Sequence, residues 1–428
     1  MASTKSILKF ALPAVVENFL QMLMTLMDTF LVARISLSAV AGVALAGNIL
    51  TVYQAVFVAI GTVISSLLAR AWAREKETGE ATGLLASSQK LIWLVGIFLG
   101  LISIIGARAM TTLLGARGTM AGEARVYLML VGGFMLFLAL MTVYGAFLRA
   151  SGDTKTPMMA SFYANGLNII FAGLFIFGLH WGVIGAGLGT VLARAIGAFF
   201  LYNKCRSAQI DVSFHFWKQK ISRELLHLSG PATAERLVMR FGDLIVIALI
   251  ISFGAKIYAG NAIGENITQF NYMPGFGMAT ATVILGASAF GQQDPEGLKA
   301  IVRKSYWLTA LMMVLVGAVI LLASDALGRL FTKDAVALSA NHTVILFSLL
   351  ATIFTAGTLI YTAAHQSVGN TRLPFLATSV GMLIVRVVLG FVFGHLLGLG
   401  LEGVWLAVIA DNLFRFIFLK WRFQKALK

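Results

Sequence analysis

Four polar side chains punctuate an otherwise apolar stretch near the start of the chain: Glu17, Gln21, Thr25 and Asp28. At 100° per residue they fall within an arc of about 80° on a helix, forming a single polar stripe that faces a cavity or neighbouring helices. A charge held in hydrocarbon costs at least about 2–3 kcal/mol, so each such residue calls for a partner, a wet passage or a role. Asp28 stands past the middle of its helix among Leu26, Met27, Phe30 and Leu31. A carboxyl in that setting is suited to taking up and releasing a cation, the step that ion-coupled transport needs. The plainer alternative is a hydrogen bond to a neighbour, or a cap for the helix end near Ser36. Glu17 lies nearer one mouth of the same helix and shares both readings.

Asn165 and Asn168, three residues apart, can hydrogen-bond Asp28 or hold two helices together. Further along, Glu235, Arg236, Arg240 and Asp243 crowd one helix. They read either as an internally compensated ion-pair cluster or as the polar lining of a substrate site. Glu265, Gln269 and Tyr272 share a face of the next helix, with Pro274 close by, and Asn48 is a further polar candidate lining residue. Methionines near these stripes suit a surface that accepts varied apolar ligands, and equally serve as lipid-facing filler.

The elements that must position these groups follow from the solvent. Of 428 residues, 59% are hydrophobic and 12% charged, whereas a soluble domain carries roughly a quarter charged. Lipid must surround most of the chain, and backbone amides in lipid must pair internally, in helices or a closed barrel. Long continuous apolar runs such as 91–105, 128–146 and 306–322 lack the alternation of barrel strands, so the chain is all-α. Twelve spans are expected, at 7–33, 39–72, 84–108, 122–148, 156–179, 182–203, 225–252, 257–291, 299–323, 338–366, 372–398 and 402–420. With the N-terminus inside, about twenty Lys and Arg fall in inward loops, Lys76 and Lys428 among them, against about seven outside, which orients both termini to the cytoplasm. The net charge of +15 is thus a topology signal and not a nucleic-acid footprint. The single cysteine, Cys205, excludes an internal disulfide.

A repeat is visible in the prolines. Pro13 and Pro231, each followed by glutamate four residues on, lie 218 apart; Pro157 and Pro374 lie 217 apart; Asn48 and Asn266 again lie 218 apart. Arg194 and Arg415 match at 221, together with Gly182 and Gly403. Six spans per half is an even number, so the halves are parallel repeats related by a pseudo-twofold axis. The expected organisation is an N-lobe at 1–205, a cytoplasmic linker at 206–224 and a C-lobe at 225–428.

Phosphate-binding loops, hydrolase elbows and Cys/His metal motifs are missing, which argues against an enzyme, an ATP-driven pump, a catalytic residue or a metal site. The stretch from Pro13 through Glu17 and Gln21 to Asp28-Thr-Phe-Leu-Val resembles the first helix of multidrug and toxic compound extrusion (MATE) transporters. So does Phe147-Leu-Arg-Ala-Ser-Gly-Asp-Thr-Lys-Thr-Pro157, and Ile176-Phe-Gly with Trp181-Gly-Val-Ile-Gly-Ala fits the same family.

This resemblance implies two six-helix lobes and efflux of cationic or amphipathic organic compounds, exchanged for H⁺ or Na⁺ by alternating access. It implies cation coupling at Asp28; Glu17, Asn165 and Asn168 are the further coupling candidates read from the residues themselves. Gln21, Asn48, Glu235, Arg240, Asp243, Glu265, Gln269 and Tyr272 are the expected cavity lining. No cofactor is implied beyond the coupling ion, and the partners are drugs and membrane lipids around a monomer in the plasma membrane. Two departures stand out. Ala172 replaces an aspartate frequent in the family, and 341–365 lacks the acidic residue of the sodium-coupled branch, which favours a proton-coupled, DinF-like arrangement. A lipid or lipid-linked saccharide flippase of the same superfamily is the alternative, kept open by Arg236 and Arg240.

Overall fold

A computed structural model describes residues 4–74, 80–212 and 214–427, so Lys76 and Lys428 lie outside the described residues. Helices carry almost all of them, and there is no strand among the described residues. In chain order the helices are α1 (Thr4–Ala33), α2 (Leu37–Arg74) and α3 (Glu80–Leu113). Next come α4 (Gly118–Gly132 and Leu136–Ala150, bent by 41° at the break), α5 (Lys155–Gly178) and α6 (Gly182–Ser207). The second set comprises α7 (Arg223–Ile251), α8 (Ala255–Gly291) and α9 (Pro295–Leu322). It ends with α10 (Ala335–Ser367), α11 (Arg372–Leu396) and α12 (Gly400–Ala426).

Among the described residues, nine helices are long and apolar enough to cross a membrane, ten with bent α4 counted as one span. The other two, α7 and α12, are of similar length but carry ionisable residues along their interiors. In α7 these are Glu235, Arg236, Arg240 and Asp243; in α12 they are Asp411 and Arg415. The outer faces are apolar. Leu311, Leu315 and Val319, one turn apart on α9, are 57%, 58% and 65% exposed. A row of this kind is at home against acyl chains and costly against water.

The duplication is written into the backbone. Gly182 and Gly400, 218 apart, open α6 and α12 with φ of 54° and 57°. Just before them, Trp181 N–H donates to Phe175 O at 3.0 Å, and Leu399 N–H to Phe393 O at 3.1 Å, again 218 apart. A wide π-turn precedes each, Leu174–Gly178 and Val392–Leu396. At the other end of these helices, Asp153 accepts from the Thr156 N–H and Asn370 from the Leu373 N–H, 217 apart, so the Gly-Asp-Thr-Lys-Thr-Pro loop is a helix cap. The offset grows by one because α5 has 24 residues and α11 has 25. The extra residue coincides with a second π-turn, Val380–Arg386, which has no counterpart in α5 among the described residues. This register also corrects one pairing read from the sequence. Gly182 corresponds to Gly400, so Arg194 corresponds to Asn412 and not to Arg415.

The chain divides into two compact units, Val16–Ser229 and Met1–Val15 with Gly230–Lys428. These bounds differ from the 1–205 and 225–428 read from the sequence, chiefly in the first fifteen residues. The reason is close packing of α1 on α8. Ile7 and Ala11 are fully buried with Met278 and Ala281, and a Cβ on Gly277 would come within 2.7 Å of Val15 N. The segment 206–224 is pinned to α3 of its own unit, where Lys90 Nζ donates to the carbonyls of Trp217 (3.0 Å) and Gln219 (2.9 Å).

Where α12 passes α11, a Cβ on Gly403 would lie 2.5 Å from the Phe393 carbonyl carbon, so only glycine fits. Gly403→Val is expected to cost about 1–3 kcal/mol, the usual penalty of overpacking. Gly166→Val, at an exposed position with open space around its Cβ, is the control. Thermal unfolding in detergent checks this: the Gly403 variant melts several degrees lower and the Gly166 variant does not.

Candidate functional site

In the first unit the polar stripe of α1 is partnered along its length. Glu17 receives Arg149 Nη1 of α4 at 3.0 Å and 3.3 Å on its two oxygens, and Ser161 Oγ of α5 at 3.4 Å. The pair is nearly buried, at 14% and 15% side-chain exposure. Gln54 Nε2 of α2 donates to Gln21 Oε1 at 3.3 Å. Asn165 Nδ2 donates to the Leu20 carbonyl at 2.7 Å, bolting α5 to α1.

Asp28, half-buried, is faced by the Asn168 amide of α5 and by the Arg194 guanidinium of α6. Asn168 is fully buried, and its Nδ2 donates to Thr190 Oγ1 at 3.2 Å. Tyr127 of α4 reaches the same hydroxyl and lies within the field of Asp28 and Arg194. The Asn168 amide of α5 and the charge of Arg194 on α6 thus act on the α1 carboxyl, and Thr190 and Tyr127 hold the surroundings through Asn168 and the field. Of the expected coupling residues, Asn168 joins Asp28, whereas Asn165 and Glu17 belong to separate contacts one to three turns away.

The second unit is built on Asp411, whose side chain is fully buried. Arg415 binds it through Nε and Nη2, both at 2.8 Å, and Arg386 of α11 adds Nε at 2.9 Å and Nη2 at 2.7 Å. Arg386 Nη1 then reaches Asp243 Oδ1 of α7 at 3.5 Å. Two acids and two arginines alternate, so the group carries no net charge. Glu265 and Tyr272 of α8 lie in the field of Arg386 and Asp243, Glu265 next to Asn261 and Tyr272 next to Ser348.

The expectation of ion pairing within α7 itself is corrected by this geometry: the ion-pair partner of Asp243 is Arg386, and Arg240, exposed, only adds its field. Glu235 is buried and accepts from Thr378 Oγ1 of α11 at 3.3 Å. Asn48 and Gln269 sit at exposed positions on α2 and α8, outside both groups. Sequence reasoning missed Arg386, Tyr127 and Thr190. The first had a signal, a lone arginine inside the otherwise uncharged 373–394 stretch, whereas a tyrosine and a threonine in a membrane helix carry none.

A twice-repeated six-helix bundle with apolar outer faces and compensated charges inside is a polytopic membrane transporter and not an enzyme. The chain belongs to the MatE family, whose model matches it twice, over residues 13–174 and 231–392. The two matches start 218 residues apart and end 218 apart, the spacing of Pro13 and Pro231 and of the π-turns.

Among curated relatives, a probable multidrug resistance protein NorM from Thermotoga maritima is 29% identical over 96% of this chain and 90% of its own length. A solved MATE family transporter, titled as a multidrug resistance protein in an outward-facing conformation, superposes with a TM-score of 0.91 at 24% identity, covering 99% of this chain and 96% of its own. A MOP superfamily transporter from Pyrococcus furiosus also reaches 0.91, at 23% identity, over 99% and 95%. These structures share the fold of twelve transmembrane helices in two lobes.

Removing Asp411 strands two arginines. Asp411→Asn is expected to lower stability by about 3–5 kcal/mol, the range for breaking a buried ion pair from one side. Asp243→Asn, whose side chain is 43% exposed, is expected to cost much less. Denaturant titration of the detergent-solubilised variants compares the two.

Proposed function

We propose that this chain is a secondary active multidrug efflux antiporter, exporting cationic or amphipathic organic compounds in exchange for a cation taken up at Asp28. The observation that carries the reading is that the Asn168 amide and the Arg194 charge act on one carboxyl inside the first unit, with Tyr127 in its field. The name of the Thermotoga relative supports the cargo class. Arg194 supports H⁺ over Na⁺ as the coupling ion: a guanidinium beside the carboxylate repels a second cation, whereas a proton merely neutralises the acid. Ala172 supports the same choice, because it leaves the neighbourhood without a further anionic oxygen.

A lipid-linked saccharide flippase calls for uncompensated cations. Arg386 and Arg415 in the second unit are matched by Asp243 and Asp411, which supports the antiporter; Arg236 and Arg240, on which the flippase reading rests, form no ion pair among the described residues. In this reading the chain works as a plasma-membrane monomer with its termini in the cytoplasm, an orientation supported by the excess of Lys and Arg in the inward loops.

Proteoliposomes carrying an imposed pH gradient test the proposal. A cationic dye is expected to dissipate the gradient with wild-type protein, in the presence or absence of Na⁺. Asp28→Asn, which keeps an oxygen for the Asn168 amide, is expected to abolish exchange while the protein still inserts and elutes as one species. Undiminished exchange by that variant removes Asp28 from coupling.

A further inference from the structure

The internal repeat places one constellation in both units, with a single difference that changes its chemistry. In the first unit Glu17 meets Arg149 and Ser161. Moved by 217–218 residues, these positions become Glu235, Gln366 and Thr378. The second set is assembled in the same way. Thr378 Oγ1 donates to Glu235 Oε1 at 3.3 Å, against 3.4 Å for Ser161 on Glu17, and the Gln366 amide faces the carboxyl as Arg149 does in the first unit. The hydroxyl has been kept. The guanidinium has become a neutral amide.

Burial sharpens the contrast. Glu235 is 4% exposed, and its Oε2 has no hydrogen-bond donor within reach among the described residues. The cations that face it are few. Arg236 is its neighbour on α7, about 100° around the helix. Arg415 of α12 also acts on it, but its Nε and Nη2 are both taken by Asp411, which Arg386 shares. From α10 comes only Gln366 and from α11 only Thr378, both uncharged. Glu17, by contrast, has a guanidinium of its own at 3.0 Å. A buried carboxylate without a dedicated counter-charge is stabilised by taking up a proton, which also gives it an O–H donor.

We propose that Glu235 is a proton-binding site of the second unit, the repeat counterpart of the Glu17 ion-pair site with glutamine where that site has arginine. It binds and releases H⁺ at a carboxyl of the other unit, so it stands whether or not Asp28 couples transport. The two copies thereby have separate tasks: Glu17 is a locked ion pair, and Glu235 is a titrating acid.

Infrared difference spectra of the full-length protein in lipid nanodiscs, stepped in pH and repeated in D₂O, test the assignment. Wild-type protein is expected to show a protonated-carboxyl stretch that disappears as pH rises. The comparison is made in an Asp28→Asn background, which lacks the carboxyl assigned to coupling: there the band remains, and adding Glu235→Gln removes it. Gln366→Arg, which rebuilds the first unit's arrangement, is expected to move its titration downward by about 1–3 pH units, the usual effect of an adjacent opposite charge. A band that survives Glu235→Gln at full amplitude overturns the proposal, and so does a titration unmoved by Gln366→Arg in folded protein.

Discussion

An ion pair assembled away from water is held together largely by the cost of taking it apart. Solvation is not there to rescue either partner, so removing one leaves the other stranded. In this chain that constraint decides where helices touch. Asp411 lies at the node of two arginines, and through Arg386 it fixes α12, α11 and α7 to one another. The Glu17–Arg149 pair does the same for α1 and α4, with Ser161 drawing in α5. Apolar packing between membrane helices is poorly selective, because a lipid tail is as good a neighbour as a leucine. The polar contacts therefore carry the specificity of the helix arrangement, and the buried glycines permit the close approach those contacts need.

Much of the architecture was legible in the chain before any coordinates. Apolar run lengths located every helix to within a few residues, since a span that is too short or too polar cannot cross lipid. The matched prolines exposed the duplication, and the backbone repeats it at Gly182 and Gly400. The stripe Glu17, Gln21, Asp28 was readable from a 100° step alone, and each member does meet another helix. Partners were harder to read. Arg149 looked like a topology charge at a helix end, yet it also closes on Glu17. Arg386 pairs with an acid 143 residues before it and another 25 after it, separations on which helical periodicity is silent. Pairing within α7 is one of the two readings its charges allow, because neighbours along a helix are the only ones spacing can reveal.

The duplication also illustrates how a symmetric framework acquires unequal parts. Main-chain devices, namely the capped loop before α5 and α11, the π-turn and the left-handed glycine, are retained in both copies because each solves a problem of backbone geometry that both copies face. Side chains at equivalent positions have drifted. Arg194 stands beside Asp28, and its counterpart Asn412 instead meets Arg415 Nη2 at 3.3 Å. The result is two units of the same shape with different electrostatic characters.

The one-residue excess of α11 has a further consequence. A single insertion in a regular α-helix turns everything beyond it by about 100°, which would swing the distal half of α11 off its contacts with α12. The widened turn at Val380–Arg386 takes up the extra residue locally, so the distal half of α11 keeps its register against α12. Arg386 closes that turn and now spans Asp411 and Asp243, making the loop of backbone dependent on the charges it carries. Excising the residue would therefore dismantle an electrostatic junction and not merely straighten a helix.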